Sequence, residues 1–136
     1  MKNKGHTVII VAPKGTPLHQ KAKAAGFRVF GVDFKKLRIL SDYRFLKGLF
    51  KNEQPDIVNT HGNADSKIAL PAAYRAKVPC RILSRHISVH VRNSMFNRLL
   101  YKTFSNYIFT TASYTTRHLQ TVFNIKPTRI FTIPSG

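Results

Sequence analysis

Residues 56–62 read DIVNTHG. Ile57-Val58-Asn59-Thr60 is a short β-rich run, and Thr60-His61-Gly62 closes it with a hydroxyl, an imidazole and a glycine. Glycine accepts positive φ and lets a ligand approach the backbone. Histidine can donate, accept or carry charge near neutral pH. Two readings follow: a strand ended by a histidine bonded to a backbone carbonyl, or the wall of a site.

Outward from Ile57–Thr60, five further runs have the same character: Val8–Ala12, Val29–Asp33, Arg81–Ser84, Tyr107–Thr111 and Arg129–Ile133. Each is nearly continuously apolar rather than alternating, as expected of a parallel sheet with helices on both faces. Helical periodicity fills the gaps. Thr16-Pro17 reads as an N-cap with a first-turn proline, and Gly26 as the stop. Ser41 is the expected cap of a helix carrying Phe45, Leu46, Leu49 and Phe50, which must end before Pro55. Asn63 or Asp65 is the expected cap of the next, which packs through Ile68, Ala69, Ala72, Ala73 and Ala76 and which Pro71 should bend or shorten. Ser94 is expected to cap a helix running to Phe104, and Ser113 one presenting Leu119, Val122 and Phe123.

This alternation predicts a Rossmann-like α/β fold: an open, mostly parallel sheet with right-handed crossovers. Ligands bind such sheets outside the carboxyl ends of the strands. Those ends carry Pro13-Lys14-Gly15, His61-Gly62, Arg85-His86, Ser113 and Pro134-Ser135-Gly136.

The chain has 136 residues, enough for one compact domain. Its 23 Lys and Arg outweigh 5 Asp and Glu, for a net charge of +18. Such a surface seeks polyanions: nucleic acid, an anionic membrane face or a phosphorylated substrate. The single cysteine, Cys80, excludes an intrachain disulfide, reads as a core thiol and suits a reducing cytosol. No apolar run approaches the roughly 18 residues of a spanning helix, and the short apolar stretch before Pro13 does not make a signal peptide.

Arg85 and His86 end the run RILSRH, where the planar fork of arginine suits phosphate or carboxylate. The plainer reading is a solvated loop pair. His86 and His90 stand four residues apart, but Ile87-Ser88-Val89 between them is a poor helix and no cysteine or carboxylate completes a set, so no metal site is expected. Asp33, Asp42, Glu53, Asp56 and Asp65 form no close pair suited to two-carboxylate hydrolysis, and no P-loop, G-x-S-x-G or G-x-G-x-x-G is present. Ser94–Phe104 is amphipathic: Met95, Phe96, Leu99, Leu100 and Phe104 share one half of the wheel; Asn97, Arg98, Tyr101 and Lys102 share the other. The favoured expectation is that the apolar half packs on the sheet. The alternative is a membrane-surface helix with Arg92, Arg98 and Lys102 facing acidic headgroups.

The segments GHTVIIVAP, PDIVNTHG, SRH, TTASYTTRHL and IFTIPSG follow one another along almost the whole chain. This ordered set resembles the amino-terminal domain of retaining GT-B glycosyltransferases of the glycosyltransferase 4-like (group 1) family. The resemblance implies an acceptor-side domain facing a second domain that holds the nucleotide-sugar, and transfer without a metal or other cofactor, the nucleotide-sugar being a co-substrate. It places His61 and Gly62 on the acceptor side of the cleft, His86 near the transferred sugar, and Ser113 at a loop-and-helix start beside it. Arg85 would orient a phosphate-bearing acceptor or donor. Catalytic roles thus fall to His86 and His61, and substrate binding to Gly62, Arg85 and Ser113.

The family usually begins with a strand, a glycine-rich turn and a helix before a segment like KNKGHTVIIVAP, and continues past IPSG into the donor domain. Residues 1–136 therefore read as a single, incomplete acceptor-side domain, truncated at both ends and without the donor domain. Loss of a central first strand would leave Val8–Val11 and Ile57–Thr60 each short of a neighbour, and the domain weakly stable or prone to aggregate. The expected function is transfer of a sugar to a cell-envelope glycan or glycolipid such as a lipopolysaccharide precursor. The expected setting is the cytoplasm, peripheral on the inner membrane face, with little activity for the chain alone. The alternative is a non-enzymatic basic α/β module binding nucleic acid or an anionic membrane. Nucleic acid ranks lower, because the basic residues are spread along the chain and no RNP-like strand or helix-turn-helix is present.

Overall fold

The computed structural model describes residues 8–12, 16–32, 36–61, 63–85 and 93–133. The chain divides into two compact units, Met1–Asp42 and Tyr43–Gly136. Among the described residues of the first, β1 (Ile9–Ala12) and β2 (Arg28–Gly31) pair in parallel, with Ile9 opposite Arg28 and Ala12 opposite Gly31. Helix α1 (Pro17–Ala24) connects them. Thr16 caps it as expected, its hydroxyl accepting the His19 N–H at 3.3 Å. Gly26 follows the helix at φ 87°, a conformation that glycine adopts without a Cβ penalty.

Helix α2 (Ile39–Glu53) opens at the end of the first unit and lies mostly in the second. It starts before Ser41, which therefore sits inside the helix rather than capping it; a 3-10 turn over Lys36–Arg38 leads straight into the first turn. Leu46, Leu49 and Phe50 are buried, and the helix stops at Glu53, ahead of Pro55, with Gln54 left-handed at φ 48°.

The second unit holds a four-stranded parallel sheet in sequential order: β3 (Ile57–Thr60), β4 (Cys80–Arg85), β5 (Tyr107–Thr110) and β6 (Ile130–Thr132). The connecting helices are α3 (Asn63–Arg75), α4 (Met95–Lys102) and α5 (Ser113–Phe123). Sequential parallel strands joined by right-handed crossovers put successive helices on one face, and α4 accordingly touches both α3 and α5. Leu83, Ile108 and Ile130 pack toward this layer, against Leu70, Leu100, Tyr101, Leu119 and Phe123. Tyr101 and Phe123 stack with ring centroids 5.1 Å apart. The opposite face carries Tyr107, Phe109 and Phe131, with Phe131 in ring contact with each of the other two.

Three local expectations change. Pro71 lies inside α3 and does not shorten it; Leu70, Ala72 and Ala73 on either side are fully buried. Ser113 is the first helical residue of α5; Ala112 occupies the N-cap and supplies no side-chain bond. Cys80 opens β4 only half-buried, as a free thiol rather than a core one. Ser94 does cap α4, accepting the Asn97 N–H at 3.1 Å, although the helix ends at Lys102 instead of Phe104.

β1 pairs only with β2, and β3 only with β4, among the described residues. Ile9-Ile10-Val11-Ala12 and Ile57-Val58-Asn59-Thr60 contain no charge and no proline, the composition of inner rather than edge strands.

Candidate functional site

The carboxyl ends of β3 to β6 bring several polar side chains to one edge of the sheet. At β3 the chain is tied down by the first turn of α3. Ser66 Oγ donates to Thr60 Oγ1 at 2.7 Å, and the Thr60 hydroxyl donates to the Ile82 carbonyl at 3.5 Å. The backbone N–H of His61 donates to Asp65 Oδ2 at 3.3 Å. Asp65 thus reaches back over the helix start, as the acidic member of a capping box does, and His61 itself is exposed. On the other face Ser84 Oγ donates to Asn59 Oδ1 at 2.7 Å and fastens β3 to β4.

Arg85 ends β4. It is half-buried, and its Nη1 donates to Tyr101 Oη at 3.2 Å. Tyr101 lies on the inner side of α4, and its phenol is pushed above the ordinary tyrosine value, mostly by burial; the charge and hydrogen bond of Arg85 act in the opposite direction. The strand register sets Arg85 opposite Thr110 on β5, and Thr110 opposite Thr132 on β6. There a line of hydroxyls runs across the edge: Thr110 Oγ1 to Thr116 Oγ1 at 2.5 Å, and Thr116 Oγ1 to Thr132 Oγ1 at 2.6 Å. Ser113 is exposed at the start of α5, next to this line in sequence.

His61, Arg85 and Ser113 therefore sit at the same edge, on successive strand ends. With parallel strands about 4.8 Å apart, such an edge can grip an extended polar ligand. Gly62, His86 and Arg92 lie outside the described residues, as do His90 and the expected strand-end segments Pro13-Lys14-Gly15 and Pro134-Ser135-Gly136. Arg98 and Lys102 are exposed on α4. Tyr101 and the Thr110–Thr116–Thr132 line escaped the sequence reading. The available signal was a threonine pair at the end of an apolar strand, Thr110-Thr111, followed by a second pair, Thr115-Thr116.

The two halves of α4 also differ from expectation. Leu100 and Tyr101 are the buried residues of the helix, whereas Met95, Phe96 and Leu99 are exposed. The sheet-facing side pairs one residue from each half of the expected wheel, because Tyr101 is needed where it can stack on Phe123 and meet Arg85.

Among the described residues no three His, Cys, Asp or Glu side chains gather as metal ligands would, and no helix is long and apolar enough to cross a membrane. A cavity of about 440 Å³ opens at the other end of the sheet, lined by Phe50, Gln54, Pro55, Asp56, Val78 and Pro79 among others. It holds none of the expected site residues.

A parallel α/β sheet flanked by helices, with polar groups gathered at the carboxyl edge, is a Rossmann-like arrangement. The family model described as Glycosyltransferase Family 4 matches residues 1–136, and the chain belongs to that family. The resemblance drawn from the ordered segments is thereby confirmed as an amino-terminal, GT-B-like glycosyltransferase domain. Two solved structures share the fold. A putative UDP-N-acetylglucosamine 2-epimerase from Listeria monocytogenes superposes with TM-score 0.64 at 18% identity, over 91% of this chain and 35% of that one. The UDP-GlcNAc 2-epimerase of Methanocaldococcus jannaschii, solved with UDP-GlcNAc and UDP, superposes with TM-score 0.59 at 12% identity, over 92% and 45%. The chain thus spans less than half of each. No curated protein sequence matches it.

Proposed function

We propose that this chain is the acceptor-side part of a retaining hexosyltransferase. It would move a sugar from a nucleotide-sugar to a cell-envelope glycan or glycolipid, such as a lipopolysaccharide precursor, at the inner face of the membrane. The observation that carries the reading is Arg85, fixed by Tyr101 at the carboxyl edge of a Glycosyltransferase Family 4 domain. A guanidinium held there offers a rigid fork to a phosphate, and the threonine hydroxyls beside it suit sugar oxygens. The M. jannaschii structure with UDP-GlcNAc and UDP supports a nucleotide-sugar on this kind of fold.

In this reading a second domain, outside residues 1–136, holds the donor. Arg85 orients the phosphate-bearing substrate. His61 and His86 flank the reacting sugar, while Gly62 and Ser113 let the acceptor approach the backbone. The gain comes from orientation and charge stabilisation, with basic side chains rather than a metal answering the leaving diphosphate. In this reading residues 1–136 alone transfer little or nothing.

The test has two arms. Phosphorylated glycans and soluble glycolipid headgroups are titrated into the chain by NMR, and radiolabelled nucleotide-sugars are offered with the same acceptors. Binding that shifts the edge residues and weakens in Arg85→Gln, without turnover, supports the reading. Turnover by the chain alone contradicts the division of labour. Tight binding to an oligonucleotide with no glycan binding would replace the reading with the nucleic-acid alternative.

A further inference from the structure

We infer that the cavity at the amino end of the four-stranded sheet is a second ligand site, suited to a small organic anion with an apolar body. All its lining residues belong to the second unit, and Arg85 is not among them, so the inference is independent of the transfer reaction. Helices α1, α2, α3 and α5 are each closed by a left-handed residue: Gly26, Gln54, Lys77 and Asn124, at φ 87°, 48°, 63° and 54°. Glycine takes this conformation without penalty, and asparagine comes next. Helices α1 and α3 end in the same motif. Phe27 N–H donates to Ala22 O and Gly26 N–H to Lys23 O, both at 3.1 Å; Val78 N–H donates to Ala73 O at 3.0 Å and Lys77 N–H to Tyr74 O at 3.1 Å. One is closed by glycine and the other by lysine. Gly26 and Asn124 lie away from the cavity, whereas Gln54 and Lys77 line it. Among the described residues, long side chains are thus kept against the backbone preference only at this cavity, and backbone strain of this kind collects where ligands are held.

Lys51 and Asp56 complete the polar rim. All four rim residues are exposed, and among the described residues none of their side chains has a hydrogen bond or ion pair. Phe50 and Val78, both buried, and half-buried Pro55 form an apolar floor. The volume, about 440 Å³, is that of a small-molecule pocket and admits a ligand with one ring. Two ammonium groups stand against one carboxylate at the rim, so the local charge attracts an anion, and the amide of Gln54 can donate to it. Inorganic phosphate would satisfy the rim and leave the floor wet. A neutral apolar molecule would cover the floor and leave the lysines unused. An acid group on an apolar body accounts for both.

The probe is 3-phenylpropanoate, titrated into the chain and followed by NMR amide shifts; 2-phenylethylamine lacks its acid and propanoate lacks its ring. The amides of Gln54, Asp56, Lys77 and Val78 should shift with 3-phenylpropanoate and much less with either of the others, while those of Arg85 and Thr110 stay in place. Lys51→Gln with Lys77→Gln should weaken binding roughly 2- to 30-fold, and Asp56→Asn should tighten it about 2- to 5-fold. Gln54→Gly with Lys77→Gly separates ligand from fold. Glycine suits both backbone positions, so the urea midpoint of this variant should equal or exceed that of wild type while binding falls. A lowered midpoint would show that the two side chains serve the fold. Equal shifts from 2-phenylethylamine would show that the sign of the charge is irrelevant, and no shift at millimolar 3-phenylpropanoate would leave the cavity a mere crevice. Each of these results overturns the inference and leaves the transferase reading at the carboxyl edge untouched.

Discussion

At the amino end of the four-stranded sheet, Arg81 and Arg129 are committed to backbone carbonyls; at the carboxyl end, Arg85 meets a tyrosine hydroxyl beside a row of threonines. Arg81 Nη1 donates to Val78 O at 2.8 Å, Nε to Phe104 O at 2.9 Å and Nη2 to Thr103 O at 3.3 Å. Arg129 Nε donates to Asn106 O at 3.0 Å, and its Nη2 to Ser105 O at 2.6 Å and Lys102 O at 2.9 Å. Together they clamp the segment between α4 and β5, where the end of a helix leaves carbonyls that favour cations. Burial pushes the Arg81 guanidinium below its usual value, yet an arginine stays charged at any physiological pH. Part of the large positive charge is thus structural. A sequence count cannot separate the arginines that hold the loop from the one placed at the carboxyl edge.

The sharpest way to break this contrast is to remove a clamp. Arg129→Ala leaves three carbonyl contacts unmade and should destabilise the second unit by about 2–3 kcal/mol, since bonds to a charged donor are the stronger kind. Arg129→Lys should recover only part of this, because a point charge cannot reproduce the fork. Urea unfolding followed by circular dichroism measures both. Equal stability of wild type and alanine variant would mean that the amino-end arginines are not structural. At the carboxyl end, Arg85→Gln should change stability less than Arg129→Ala and ligand binding more.

A smaller effect is expected from the threonine line. Thr116 bonds to both Thr110 and Thr132, so Thr116→Val takes one partner from each hydroxyl at nearly constant volume, Thr110 keeping its longer bond to the Ala112 carbonyl at 3.4 Å. The expected loss is about 1–2 kcal/mol. Because Thr132 is exposed and water can reach it, the loss should fall mainly on Thr110, which is buried. A double-mutant cycle of Thr116→Val with Thr110→Val tests the coupling. Additive losses would show that the line is geometric coincidence.

The legible part of the molecule was the part set by local chemistry. All six strands were readable from their apolar runs, and the caps at Thr16 and Ser94 from residue type and spacing. Helix α2 was misread at its start because a 3-10 turn, not a side-chain cap, leads into it. Pro71 did not end α3, which runs on to Arg75. The inward face of α4 was not legible, since the choice between Tyr101 and Leu99 depends on Phe123 and Arg85, far away in sequence. For the same reason His61 and Arg85 could be assigned to an edge, while the Thr110–Thr116–Thr132 line, spanning two strands and a helix, emerged only from the fold.

The open strands allow another test. Among the described residues β3 is an outer strand, and its exposed Ile57 carries no protecting charge. Ile57→Lys should alter stability by less than about 1 kcal/mol while shifting sedimentation profiles toward monomer. A wild-type chain that is monomeric at high concentration, with a cooperative melt and protected β3 amides, would show that this edge needs no partner.

The last effect separates the two ends by pH. Tyr101 is the phenol that fixes Arg85, and its folded pKa lies above the ordinary 10.0, burial outweighing the opposing influence of Arg85. The folded chain therefore keeps the proton at a pH where the unfolded chain has released it. Its contribution to stability is complete below the unfolded value and is lost as pH rises through the folded one, with a slope of at most about 1.4 kcal/mol per pH unit. Tyr101→Phe has no proton to lose. It should lower stability slightly near neutrality, by about 1 kcal/mol for the missing hydrogen bond, and flatten the decline above pH 10. Arg129→Ala should leave that alkaline slope unchanged. If Tyr101→Phe declines as steeply as wild type, the phenol is not the group that titrates, and burial of the Arg85–Tyr101 contact would have to be abandoned as what distinguishes the carboxyl end.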